Sequence, residues 1–153
     1  MKVSLLFPPT WHPSQPYLSL PSLTGFLAQG GVTNVSQRDL GIELLDKVVT
    51  HSYGAALYQE LVDKQRALER ERIGDTGPGS AEHLARVVES LDRFPYLIDR
   101  IEPAKESLRG EGFYDLESYK ESLFLIDKWL EVLSTLYFPT RLTVVDNQFG
   151  NYS

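Results

Sequence analysis

The apolar run K-V-S-L-L-F at residues 2–7 is cut off by Pro8-Pro9, and that junction constrains the fold more than any other feature. Proline donates nothing to a ladder and is excluded from a sheet interior, so the run reads as a buried strand that ends where the prolines begin. Pro13 and Pro16 stiffen the loop that follows. Residues 18–29 then read as a helix: Leu20, Leu23, Phe26 and Leu27 recur at helical spacing, Pro21 suits a first turn, and Gly30-Gly31 is a stop signal. Val32 and Val35, set among Thr and Asn, mark a second strand over 32–38 that closes at Asp39-Leu40-Gly41. Strand, helix and strand with short joins open a βαβ unit, which is parallel and right-handed almost by rule.

Beyond Gly41 the pattern turns helical. Short and long helices are predicted over 42–49 and 53–72, the second with Ala56, Leu57, Val62 and Leu68 as its apolar members. A Gly-rich break at 74–79 follows, then a helix over 81–94 with Ser80 as N-cap and a stripe of Leu84, Val87, Val88 and Leu91. Pro95 and Pro103 bracket a turn or short helix. Asp115 is placed to cap a last helix over 116–137. One face of that helix carries Tyr119, Leu123, Ile126, Leu130 and Leu133; Phe124, Leu125, Trp129, Val132 and Leu136 form another, so it needs cover on more than one side. Pro139 ends it, and R-L-T-V-V-D at 141–146 is a third strand candidate. Two or three strands are too few for a doubly wound sheet, which has about five or six. The chain therefore reads either as a piece of a larger α/β protein with a helical insertion or as a mostly helical protein with a small sheet.

Composition removes several functions. The chain has 153 residues, of which 42% are hydrophobic, enough for a core. Fifteen Lys and Arg against 21 Asp and Glu give a net charge of −6, the wrong sign for phosphate backbones, so nucleic acid is excluded as a partner. With no cysteine there are no disulfides, thiolate nucleophiles or Cys-ligated metals. No apolar run approaches the ~20 residues of a membrane span, and residues 1–10 lack a secretory layout, so a cytoplasmic location without membrane partners is expected. His12, His51 and His83 fall in no metal spacing, and neither a G-x-S-x-G elbow nor an S-x-x-K motif is present. The stretch 74–80 has no Lys, follows a helix and matches no phosphate-loop pattern, which makes it a linker. The mixed charges of 60–72 read as a solvated helix face. No catalytic residue and no metal ligand is assigned.

Open parallel sheets bind ligands beyond the carboxyl ends of their strands, here residues 7–11 and 39–41. A proline-stiffened loop loses little entropy on meeting a flat ligand; the same loop also serves simply to close a sheet edge, and the residues alone leave both readings open. The pattern L-L-F-P-P-T-W-H-P-S-Q-P-Y-L-S-L-P-S-L-T-G-F-L-A-Q-G-G, running on to R-D-L-G-I-E, resembles the N-terminal opening of cobalamin-binding-domain radical SAM proteins. The resemblance spans residues 2–42 and continues to F-Y-D-L-E-S-Y near Phe113 and F-P-T-R-L-T near Phe138. It implies an α/β, predominantly helical fold: the start of a Rossmann-like cobalamin-binding domain over 1–41, a helical insertion or interaction segment over 42–138, and a further strand and chain end over 139–153. It also implies a corrinoid pocket lined by Pro8, Pro9, Thr10, Trp11 and Pro16, with Asp39 next, acting through shape and water exclusion.

The family's cluster-binding C-x-x-x-C-x-x-C and the D-x-H-x-x-G motif of many cobalamin proteins are both absent. The resemblance thus assigns S-adenosylmethionine and the [4Fe–4S] cluster to the missing part of a parent enzyme, whose radical chemistry it suggests is methyl transfer. The chain itself is expected to be a non-catalytic fragment partnered by the rest of the parent, with a peptide substrate of that parent as a further expected partner. The alternative is a non-catalytic helical interaction module that dimerises, since a small sheet has open edges.

Overall fold

The computed structural model describes residues 2–7, 18–74 and 78–142, and the chain divides into two units, Met1–Lys47 and Val48–Ser153.

In the first unit, β1 (Val3–Phe7) and β2 (Val35–Asp39) form a two-stranded parallel sheet joined through α1 (Ser19–Gln29). Their register runs from Val3 opposite Val35 to Phe7 opposite Asp39. β1 alternates as a pleated strand must, with Val3, Leu5 and Phe7 half-buried on one face and Ser4 and Leu6 exposed on the other. On the exposed face the Ser4 and Ser36 hydroxyls meet across the strands at 2.9 Å. The Gly-Gly stop works as a Schellman motif. The Val32 N–H reaches back to the Leu27 carbonyl and that of Gly31 to Ala28, and Gly31 supplies the required left-handed backbone at φ 82°. That turn consumes 32–34, so β2 begins three residues later than the sequence suggests. The helix α2 (Leu40–Val48) follows directly on β2.

The second unit is helical: α3 (His51–Gly74), α4 (Pro78–Ile98), α5 (Ile101–Arg109), a 3₁₀ turn at Glu111–Tyr114 and α6 (Leu116–Leu136). Thr50 starts α3, its hydroxyl accepting from the Tyr53 N–H at 3.1 Å, while the Glu102 carboxylate accepts from the His51 N–H at 2.9 Å. Asp115 caps α6 as expected, accepting from the N–H and the hydroxyl of Ser118 at 2.9 and 2.6 Å. α6 is the central element, packing against α3, α4 and α5. Leu125, Ile126, Trp129, Leu130, Val132 and Leu133 are all buried, so most of the two apolar faces anticipated for it is covered within the helical unit, while Phe124 is exposed. Trp129 is completely buried, with its indole N–H donating to the Val48 carbonyl at 2.8 Å and its ring 5.6 Å from that of Phe94.

Three expectations are corrected here. α4 begins at Pro78, where a fixed φ suits the first helical position, so Ser80 lies inside the helix instead of capping it. α4 also runs through Pro95 to Ile98; the proline forfeits one backbone bond on an exposed side, while Phe94 and Leu97 are buried on either side of it. Its buried stripe is His83, Val87, Ser90, Phe94 and Leu97; of the anticipated Leu84, Val87, Val88 and Leu91, Val87 is buried, Leu84 and Leu91 are half-buried and Val88 is exposed. Of the third strand candidate, Arg141 and Leu142 lie against α6, with the Leu142 N–H donating to Ser134 Oγ at 2.7 Å; residues 143–146 fall outside the described residues. The chain is thus a small mixed α/β fold with a two-stranded parallel sheet and several helices. Among the described residues no helix is long and apolar enough to cross a membrane.

Candidate functional site

Parallel pairing brings Phe7 and Asp39 side by side at the carboxyl ends of β1 and β2. Asp39 does a structural task there: its Oδ1 accepts from the N–H groups of Gly41 and Ile42 at 2.9 and 3.1 Å, capping α2 as it leaves the strand. Beside it, the Arg38 guanidinium donates through Nε to Glu43 Oε1 at 2.8 Å and through Nη2 to Oε2. This two-pronged bond holds the Glu43 carboxyl below its ordinary range and raises the guanidinium. Sequence periodicity gave no hint of that pair, because the two residues sit on either side of a strand-to-helix turn.

Of the anticipated pocket residues the structure places Asp39. Pro8, Pro9, Thr10, Trp11 and Pro16 lie outside the described residues. At these strand ends the described side chains offer an apolar ring and a carboxylate already engaged by a helix cap, with no imidazole for a cobalt ion. The radical SAM and iron–sulfur descriptors carried by the resemblance are overturned for this chain. It has no cysteine, and the described residues contain no group of three or more His, Cys, Asp or Glu able to hold a metal.

A second candidate site, which the sequence did not reveal, lies in the helical unit. An open cleft of about 510 Å³ is walled by α4, α6 and residues 138–141. Arg86, Glu89, Ser90 and Arg93 come from α4, spaced so that one helix face presents them together. Lys128, Glu131 and Thr135 come from α6 at the same kind of spacing. Glu131, largely shielded from solvent, draws in Lys128 at 2.8 Å, Arg141 at 3.3 Å and Arg93 at 3.5 Å. Arg93 also pairs with Glu89. At the far end the Arg86 guanidinium lies 5.3 Å above the Phe138 ring, which is stacked on the buried His83 ring at 5.0 Å. His83 Nε2–H donates to the Thr135 carbonyl at 2.7 Å, and the Ser90 and Thr135 hydroxyls bond at 2.8 Å. His83 is therefore a packed, hydrogen-bonded histidine. The cleft thus combines an ion-pair cluster centred on Glu131 with a hydrogen-bonded group of His83, Ser90 and Thr135.

Compared with family models, with curated proteins and with solved structures, the chain gives no match in any of the three.

Proposed function

We propose that residues 2–42 are the opening βαβ of a Rossmann-like cobalamin-binding domain, and that the chain is the N-terminal part of a larger cobalamin-dependent enzyme, contributing part of the corrinoid-binding region without being catalytic alone. One observation carries this reading beyond the resemblance. No described residue from 2 to 47 is buried, although the unit holds a parallel sheet, an arrangement that elsewhere occurs with both faces covered. Leu6 is 56% exposed and Phe26 and Leu18 are each 72% exposed. Two strands and a helix in this state lack the cover that an independent sheet requires, and further strands and helices of the same domain would supply it.

In this reading Phe7 and Asp39 stand at the rim of the corrinoid site, and Pro8, Pro9, Thr10, Trp11 and Pro16 form its wall. Cobalamin supplies the cobalt–carbon chemistry; this chain supplies shape and exclusion of water. Absorbance titration of hydroxocobalamin tests the idea. Weak saturable binding is expected, reduced by Trp11→Ala and retained in Asp39→Asn, which keeps the helix cap. Absence of any saturable change with the wild-type chain would overturn it.

A further inference from the structure

The cleft between α4, α6 and residues 138–141 reverses the sign of the molecule. Four cationic side chains, Arg86, Arg93, Lys128 and Arg141, line it against two carboxylates, Glu89 and Glu131, on a chain whose net charge is −6. Three of the four converge on Glu131, Arg93 also pairs with Glu89 and Arg86 with Glu82, so four cations face three carboxylates and keep one positive charge in excess. Lys128 and Glu131 retain 27% and 23% of their side-chain exposure, so the field there is screened less than at open surface. Arg86 is held by Glu82 through Nε and Nη2 at 3.2 and 2.9 Å and rests on Phe138. The cations are therefore already ordered, and a ligand arriving among them loses little further side-chain entropy. The cleft volume of about 510 Å³ lies in the range of small-molecule sites, and fixed guanidinium forks match carboxylate and phosphate oxygens.

We propose that this cleft is a binding site for a small organic anion bearing two or more carboxylate or phosphate groups, with Arg86 and Arg141 at its rim gripping the ligand and Arg93 and Lys128 supplying the field beneath. The site is independent of the corrinoid reading and lies wholly within the helical unit.

Isothermal titration of the full chain in low-salt buffer, with citrate in one arm and inorganic pyrophosphate in the other, tests it. Saturable one-to-one binding of at least one of the two is expected, weakening as salt is added. The double variant Arg86→Gln/Arg141→Gln, whose altered side chains are half-exposed, should keep the wild-type melting curve and lose about tenfold or more in affinity. The arm that binds more tightly identifies the anion as carboxylate or phosphate. The proposal is overturned by absence of saturable binding in both arms, by equal affinity in the double variant, or by binding confined to an extended acidic peptide added as a third ligand.

Discussion

Gly54 on α3 and Trp129 on α6 occupy complementary space. A Cβ at Gly54 would stand 2.7 Å from Trp129 Cη2 and closer still to Ile98 Cδ1, so the missing side chain is what lets the indole lie between α3 and α4. Gly54→Ala gains about 1 kcal/mol in helix propensity, but the overpacking costs about 1–3 kcal/mol. We expect net destabilisation in urea melts, relieved in part by Ile98→Val, which removes the nearer clashing carbon. Equal midpoints for Gly54→Ala and wild type would show that the core yields more easily than the geometry implies.

Trp129→Phe tests the same core through its polar atom. The substitution removes the donor from the Val48 carbonyl, 2.8 Å away, and leaves a smaller ring among Phe94 and the surrounding aliphatic groups. Losing a buried hydrogen bond costs about 1–3 kcal/mol, and the cavity adds to it. The expected result is a denaturation midpoint lower than that of Phe124→Ala, a control on the exposed side of α6.

Much of this architecture is legible from residue pattern alone. The double proline locates the end of β1, Gly30-Gly31 the Schellman turn after α1, and Asp115 the cap of α6, because each signal is local and acts on its own backbone. The buried stripe of α4 was misjudged for the opposite reason. His83 and Ser90 enter the interior because Thr135, 52 and 45 residues further along, accepts from one through its carbonyl and meets the other through its hydroxyl. Hydrophobic periodicity cannot anticipate a polar residue satisfied by a distant partner. The charged cleft escaped notice likewise, since it forms only when α4 meets α6 and the residues that follow it, about 40 positions further along.

That polar contact yields its own prediction. Thr135→Val removes the hydroxyl that Ser90 meets but keeps the carbonyl that His83 uses, leaving the buried Ser90 hydroxyl without this partner. A loss of about 1–3 kcal/mol is expected, and Ser90→Ala introduced into the Thr135→Val background should recover part of it. Additive losses in the double variant would show that the two hydroxyls are not coupled.

Asp115 gives the pH dependence. Bonds from the Ser118 hydroxyl and N–H hold its carboxyl below the ordinary value of 3.8, so the folded chain favours the ionised form. A carboxyl depressed in this way stabilises fully above its unfolded value, and the contribution is lost as pH falls through the lower folded value. Asp115→Asn retains an acceptor for the cap without titrating. Between about pH 6 and pH 2 the melting temperature of Asp115→Asn should therefore fall less than that of wild type. Parallel curves would mean that the cap carries no linkage to protons.

The first unit should behave differently from the second on exchange with deuterium. Opening energies follow the apolar area that closes over an element; β1, β2 and α1 have no buried residue among those described, whereas α6 has nine. Amides of residues 3–7 and 35–39 should exchange by local opening, far faster than those of 125–133, which exchange only when the helical unit unfolds. Leu6→Lys separates the reasons. If the outer face of β1 is bare, as its 56% exposure indicates, the substitution leaves both exchange rates unchanged. In a longer chain carrying the remainder of a Rossmann-like domain, the same lysine would fall against a covering helix and accelerate exchange throughout 3–7, because an unpaired charge is costly to bury. A neutral Leu6→Lys in both contexts would mean that this face of the sheet is never covered, and the proposed completion of the domain would fail with it.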